Sequence, residues 1–289
     1  MSEICKRKEF KEESNAVSRR KFLQRTATVG GAALISTVAA NAHDEKRAGS
    51  NGRRIQAALR GEMTEYKSGD LTIPAYFVRP TKKGDAPAIL VIHEVFGLND
   101  HIKSIADRFA AEGYNAIAPN FFVRAPTPPP PDDKDMAALR KAAGSIPPEA
   151  AIKDMQATLD HLKTIKGVRK RFASIGFCMG GGFSYQIATH TKDLSCAAIF
   201  YGRTPIELVP QVSCPLVGSF GGKDQGIPPE KVKEFEEALK KAGKTADIKV
   251  YPDAGHGFFN DTRPTAYNAE AAADAWQRTL SFFKKYLKA

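Results

Sequence analysis

From residue 63 onward, apolar positions switch repeatedly between a strand rhythm and a helix rhythm. Two short runs, MTEYKS and LTIPAYFVRP, flank Gly69-Asp70 and predict a hairpin. Residues 87–97, PAILVIHEVFG, form a continuous apolar run, as expected of a strand buried on both faces. Residues 102–113 carry apolar positions at helical spacing and stop at Gly113. YNAIAPN predicts a strand, and residues 147–165 a helix that opens on prolines. Strands follow at FASIGF, CAAIFYG, CPLVGSFGG and ADIKVYPD, with helices over 229–242 and from about 268 to 288.

Repeated strand–helix alternation predicts an α/β fold, a mostly parallel central sheet with helices on both faces. Right-handed crossovers then bring the strand C-terminal ends to one edge, where such sheets bind ligands. The stretch APTPPPPDD (125–133) is neither strand nor helix, because proline lacks the N–H donor and fixes φ. It reads as a surface connection or a rigid flap beside the site.

The first 62 residues follow neither rhythm. SRRKFLQ (18–24), a mildly apolar run to Ala39 and the small residues ANA (40–42) describe a signal peptide over 1–42. The arginine pair resembles a twin-arginine export signal, which implies passage through the twin-arginine machinery as a precursor and a periplasmic or secreted mature protein. Residues 43–62, with AGSNGRR, read as a linker or N-terminal extension, leaving one catalytic domain over 63–289. No stable membrane insertion is expected once the leader is removed.

Charge changes the picture little. The chain carries +11, and removing 1–42 takes away eight basic and four acidic residues, leaving +7. Its lysines are scattered among acids, as in EKVKEFEEALKKAGK (230–244), so a nucleic-acid partner is not expected; an anionic small substrate fits slightly better. Of four cysteines, Cys5 lies in the leader, and Cys196 and Cys214 each open an apolar strand run as inert core residues. An oxidising compartment leaves a disulfide between these two open. No C-x-x-C occurs, and His93-Glu94 lacks the H-E-x-x-H spacing, so neither metal nor cofactor is expected.

The chemistry gathers at the strand ends. SIGFCMGGG (174–182) is a strand, a sharp turn and a helix start, with Cys178 where this arrangement usually presents serine. Asp224 in SFGGKDQGIP and His256 in YPDAGHGFF follow two later strands, each in a glycine-containing loop. The order nucleophile, acid, histidine is that of α/β-hydrolases. His256 would take the thiol proton and return it to the leaving oxygen, while Asp224 would fix the imidazole tautomer. The backbone N–H groups of Met179 and Val95 would receive the oxyanion. His161 and His190 lie on predicted helices and read as structural.

HEVFGLN, PNFF followed by Arg124, GFCMGG, GGKDQGIP and AGHGF together resemble the dienelactone hydrolase (carboxymethylenebutenolidase) family over about 63–289. The resemblance implies an α/β-hydrolase fold, no cofactor, and hydrolysis of lactones or small esters through a thioester acyl-enzyme. It maps the triad onto Cys178, His256 and Asp224. It also maps onto Glu94 a carboxylate that accepts the resting thiol's hydrogen bond, and onto Arg124 a bidentate clamp for a substrate carboxylate. Tyr201 and Asn260 complete the expected substrate-facing set. Asn260 stands where dienelactone-acting members carry a second arginine, with Arg263 three residues on. That departure keeps open a broader carboxylesterase for neutral substrates. A non-catalytic or thiol-redox protein on the same fold is the reading from another class.

Overall fold

In a computed structural model, residues 61–130 and 134–287 are described. The leader, the linker up to residue 60 and the end of the proline run lie outside them. An eight-stranded sheet has the order β1-β2-β4-β3-β5-β6-β7-β8. Its strands are β1 (Glu62–Ser68), β2 (Leu71–Val78), β3 (Ala86–Ile92), β4 (Asn115–Pro119), β5 (Val168–Phe177), β6 (Leu194–Phe200), β7 (Leu216–Gly221) and β8 (Ala246–Tyr251). The hairpin β1–β2 and the pair β2–β4 are antiparallel, and every pairing from β4 through β8 is parallel. The helices are α1 (Asp100–Ala111), α2 (Met136–Gly144), α3 (Pro148–Thr164), α4 (Met179–His190), α5 (Pro229–Lys241) and α6 (Ala269–Leu287). This is the α/β-hydrolase fold.

Strand β3 shows why the sheet must be covered twice. Ala88, Leu90 and Ile92 enter one apolar cluster with α2, α3, α4 and α5, while Ile89 and Val91 enter the other with α1 and α6. All five are fully buried. Alternate side chains point to opposite faces, so a continuous apolar run is stable only between two helical layers. Each buried aliphatic side chain contributes about 1.5–3 kcal/mol.

The elements expected from the sequence are all present, with shifted ends in places, and three differences are informative. Residues 93–97 leave β3 early, because Gly97 adopts φ +73° and its N–H turns back to the Glu94 carbonyl at 3.1 Å. Helix α2 was not expected from the pattern; Asp135 caps it by accepting the Ala138 N–H at 2.9 Å. The 3-10 turn Ile206–Gln211 was not expected either. Cys196 and Cys214 are buried free thiols in this structure. Among the described residues, no helix is long and apolar enough to cross a membrane.

Candidate active site

After β3 the chain moves outward to β4, and after β4 it returns to β5 on the other side of β3. The C-terminal ends of β3 and β5 therefore flank the point where strand order reverses, the usual crevice of an open α/β sheet. Glu94 follows β3 and Cys178 follows β5.

Cys178 sits between β5 and α4 at φ +55°, ψ −115°, a strained conformation for a residue with a side chain. Its N–H is held by the Phe200 carbonyl at 3.0 Å. The glycines around it permit this turn. A Cβ on Gly176 would lie 1.8 Å from the Gly180 carbonyl oxygen. One on Gly180 would lie 2.4 Å from the Ile92 carbonyl oxygen, and one on Gly181 2.5 Å from that of Phe200. Close backbone approach thus wedges the start of α4 between the ends of β3 and β6. The Met179 N–H lies in the first turn, ahead of the first intrahelical bond from Gly182 N–H to the Cys178 carbonyl.

His256 Nε2 lies 3.0 Å from Cys178 Sγ, and His256 Nδ1 lies 2.7 Å from Asp224 Oδ2. The other carboxylate oxygen, Oδ1, accepts the N–H groups of Gly226 at 2.8 Å and Ile227 at 3.1 Å. The two loops are tied together: Gly222 N–H donates to the Tyr251 carbonyl at 2.7 Å and Lys223 N–H to that of Ala254 at 2.9 Å. Burial works against the charge on both partners. Even so, the His256 bond, its charge and the two backbone N–H groups hold the Asp224 carboxyl below its usual range. Burial likewise opposes imidazolium, but the Asp224 and Cys178 partners raise His256 to about 10. An acid–imidazole–thiol chain of this kind can carry a proton away from sulfur.

Glu94 is buried, and its oxygens are both occupied. Oε2 accepts Asn260 Nδ2–H at 2.5 Å, and Oε1 accepts the Tyr201 hydroxyl at 3.3 Å. Burial raises the Glu94 carboxyl; the bond from Asn260, the charge of His256, the Tyr201 hydroxyl and the charge of Arg263 pull it partly back. Its expected partner, the thiol, is instead bonded to His256.

Three residues expected to contact substrate have partners within the chain. Arg124 does not offer an open fork: its Nε and Nη2 grip Asp154 of α3 at 2.8 and 2.6 Å. Asp154 is fully buried and also accepts the Ser68 hydroxyl at 2.6 Å, so the bidentate carboxylate of Arg124 comes from within the chain. Tyr201 has no exposed surface and Asn260 has 1 %; both turn to Glu94. Val95 is buried and lies within the turn after β3 that the Gly97 N–H closes onto the Glu94 carbonyl.

His93 was not singled out as a site residue. It is fully buried, with Nδ1 2.7 Å from the Glu94 carbonyl oxygen and Nε2 accepting the Phe121 N–H at 3.1 Å. Burial lowers it to about 4, so the ring is neutral, with its proton on Nδ1. It bridges the turn after β3 to the 3-10 turn Phe121–Arg124. A histidine at the end of an apolar run was the available signal, and its two backbone partners leave no mark in the local pattern.

The model of the dienelactone hydrolase family matches residues 73–287. The chain belongs to the dienelactone hydrolase family. The Escherichia coli K12 protein named "Putative carboxymethylenebutenolidase" is 34% identical over 245 residues, covering 79% of this chain and 88% of that one. A protein of the same name from Saccharolobus solfataricus is 34% identical over 258 residues, covering 77% and 98%. Among solved structures, the "Putative Dienelactone Hydrolase" of Klebsiella pneumoniae superposes with a TM-score of 0.74 at 31% identity, covering 79% of this chain and 99% of that one. The chain is thus a dienelactone hydrolase-like hydrolase.

Proposed function

We propose that this hydrolase opens lactones or small carboxylic esters with Cys178 as nucleophile, through a thioester. The observation that carries the reading is the hydrogen-bonded chain Cys178–His256–Asp224 at the sheet's reversal point. The Cys178 proton passes to His256 Nε2, and the thiolate sulfur then attacks the carbonyl carbon. Asp224 holds the imidazole in the tautomer that can accept it and stabilises the imidazolium. The oxyanion falls to the N–H of Met179 at the start of α4 and the N–H of Val95 in the turn after β3. Collapse breaks the ester C–O bond, and the leaving oxygen takes the proton from His256. Water then gives a proton to His256 and attacks the thioester, releasing acid and thiol. No step calls for a cofactor. Cysteine suits activated esters better than amides, because thiolate itself leaves readily.

Neutral substrates are favoured over carboxylate-bearing ones. Arg124 spends its fork on Asp154, and Asn260 is buried against Glu94, so the two positions expected to grip a carboxylate are engaged elsewhere. The test is a panel of p-nitrophenyl esters, enol lactones and saturated lactones on the wild type and Cys178→Ala. Turnover in the wild type that vanishes in Cys178→Ala is expected. A variant as active as the wild type overturns the mechanism.

We further propose that the chain is exported as a precursor by the twin-arginine machinery and works in the periplasm or beyond. SRRKFLQ and ANA support it. Replacing Arg19 and Arg20 by lysine should leave folded precursor in the cytoplasm. An N-terminus at Met1 or Ser2 in every fraction, read by mass spectrometry, contradicts it.

A further inference from the structure

Asn260 occupies a particular place in the loop after β8. The turn Gly257–Asn260 closes through Asn260 N–H to the Gly257 carbonyl at 3.0 Å, so one short loop carries both His256 and Asn260. The amide orientation of Asn260 is fixed by its surroundings. Its Oδ1 accepts the Thr262 N–H at 3.1 Å and the Thr262 hydroxyl at 2.6 Å, which turns Nδ2 toward Glu94. Each heteroatom of this side chain therefore has a defined partner, and so does each oxygen of Glu94.

Glu94 and Cys178 approach the site from neighbouring strands, β3 and β5, and the buried Tyr201 phenol feels the charge of both. A buried carboxylate with a free oxygen beside a thiol accepts its S–H and stabilises the protonated, unreactive form. Here each oxygen of Glu94 is instead turned to a fixed donor, Asn260 Nδ2–H or the Tyr201 hydroxyl, and the thiol pairs with His256. We infer that Asn260 is a positioning residue: its amide, with the Tyr201 hydroxyl, holds Glu94 off the thiol and leaves the Cys178 proton to His256. The proton step is then S–H to His256 Nε2, with the S–H bond broken and an N–H bond formed at 3.0 Å between heavy atoms.

The charged and titratable groups around this step come from four directions. Asp224 faces His256 from the loop after β7, Tyr201 faces Glu94 from the end of β6, and Arg263 acts on Glu94 from the loop after β8. His93 meets only the backbone carbonyl of Glu94, from the β3 side, and stays neutral. Of these groups Tyr201 is hydrogen-bonded to the Glu94 carboxylate, together with the uncharged Asn260. The consequence is a thiol primed before any substrate arrives, rather than one released by it.

This inference rests on Cys178 being the nucleophile, and its test reads thiol chemistry without any ester. Iodoacetamide alkylation of Cys178 is followed from pH 5 to 9, by peptide mass, in the full chain. The proteins are the wild type, Asn260→Ala, Glu94→Gln and the double variant. Asn260→Ala should alkylate about tenfold more slowly at neutral pH and shift the profile toward higher pH, a tenfold change matching about one pH unit. In the Glu94→Gln background the same alanine should change the rate by less than about twofold, since additivity fails only where residues act through each other. Tyr201→Phe gives an independent arm that empties no volume: alkylation slows while Glu94 is present, and does not slow in the Glu94→Gln background. Equal slowing in both backgrounds, or none in either, overturns the latch. Loss of esterase turnover in Cys178→Ala is scored separately, so failure of the latch and failure of the nucleophile are distinguishable.

Discussion

Asp224→Asn changes one heavy atom and reverses the polarity of the relay. In the wild type, Asp224 Oδ1 receives two backbone N–H groups, from Gly226 and Ile227, and Oδ2 receives His256 Nδ1–H. An asparagine must keep its oxygen toward the two backbone donors, because an NH2 there would face N–H groups at 2.8 and 3.1 Å. Its NH2 then points at His256 Nδ1 across 2.7 Å. The imidazole must accept there and carry its proton on Nε2, aimed at Sγ, where it cannot take the thiol's hydrogen. Restoring the working tautomer leaves two donors facing each other and forfeits a charge-assisted bond. The first costs about 1–3 kcal/mol and the second about 1.5–3 kcal/mol. Their sum corresponds to a loss of about a hundredfold to ten-thousandfold, at about 1.36 kcal/mol per decade. The assay is kcat/KM on p-nitrophenyl acetate, with a thermal melt to show that the fold is intact. A folded Asp224→Asn protein that loses less than about tenfold refutes the role given to Asp224.

Arg124→Ala strands the fully buried Asp154 carboxylate and should cost about 3–5 kcal/mol in urea unfolding, against much less for Arg124→Ala with Asp154→Ala; the same single variant should lower kcat/KM equally for matched anionic and neutral lactones. Gly180→Ala places a Cβ against the carbonyl oxygens of Ile92 and His93, at 2.4 and 2.6 Å, so α4 must back away from β3; a loss of about 1–3 kcal/mol in a denaturant melt, together with reduced turnover, is expected. His256, raised from 6.5 to about 10 on folding, contributes stability that is fully present below pH 6.5 and is lost as pH rises through about 10; the wild-type Tm should fall across that window more steeply than that of His256→Gln, and parallel curves would contradict the pairing.

Much of the fold was legible because buried parallel strands leave a plain signature. PAILVI must be covered on both faces, and such runs separated by helical periods leave few alternatives to an open α/β sheet. The positions of Cys178, Asp224 and His256 were legible for the same reason: each stands just past a strand, in a loop carrying glycine. What the sequence could not give was pairing across distant elements. Asp154 reads as an ordinary helix position, yet it sits 30 residues from the arginine it neutralises. Asn260 reads as a substrate-facing residue standing in for an arginine, yet it is buried on a carboxylate 166 residues away. Local pattern reports which face a residue occupies, not which partner fills its hydrogen bonds. Helix α2 was missed because the prolines before it dominate the local signal, while its start depends on a single capping aspartate.

The central claim is a covalent bond to one sulfur. The most direct measurement is rapid quenching of the full chain with p-nitrophenyl acetate, followed by intact-protein and peptide mass spectrometry. The account predicts one acetyl group on the peptide carrying Cys178, removed by neutral hydroxylamine and absent in Cys178→Ala, with Cys196 and Cys214 unmodified in their buried positions. Steady ester turnover with no acyl group on Cys178, or undiminished turnover in Cys178→Ala, contradicts it.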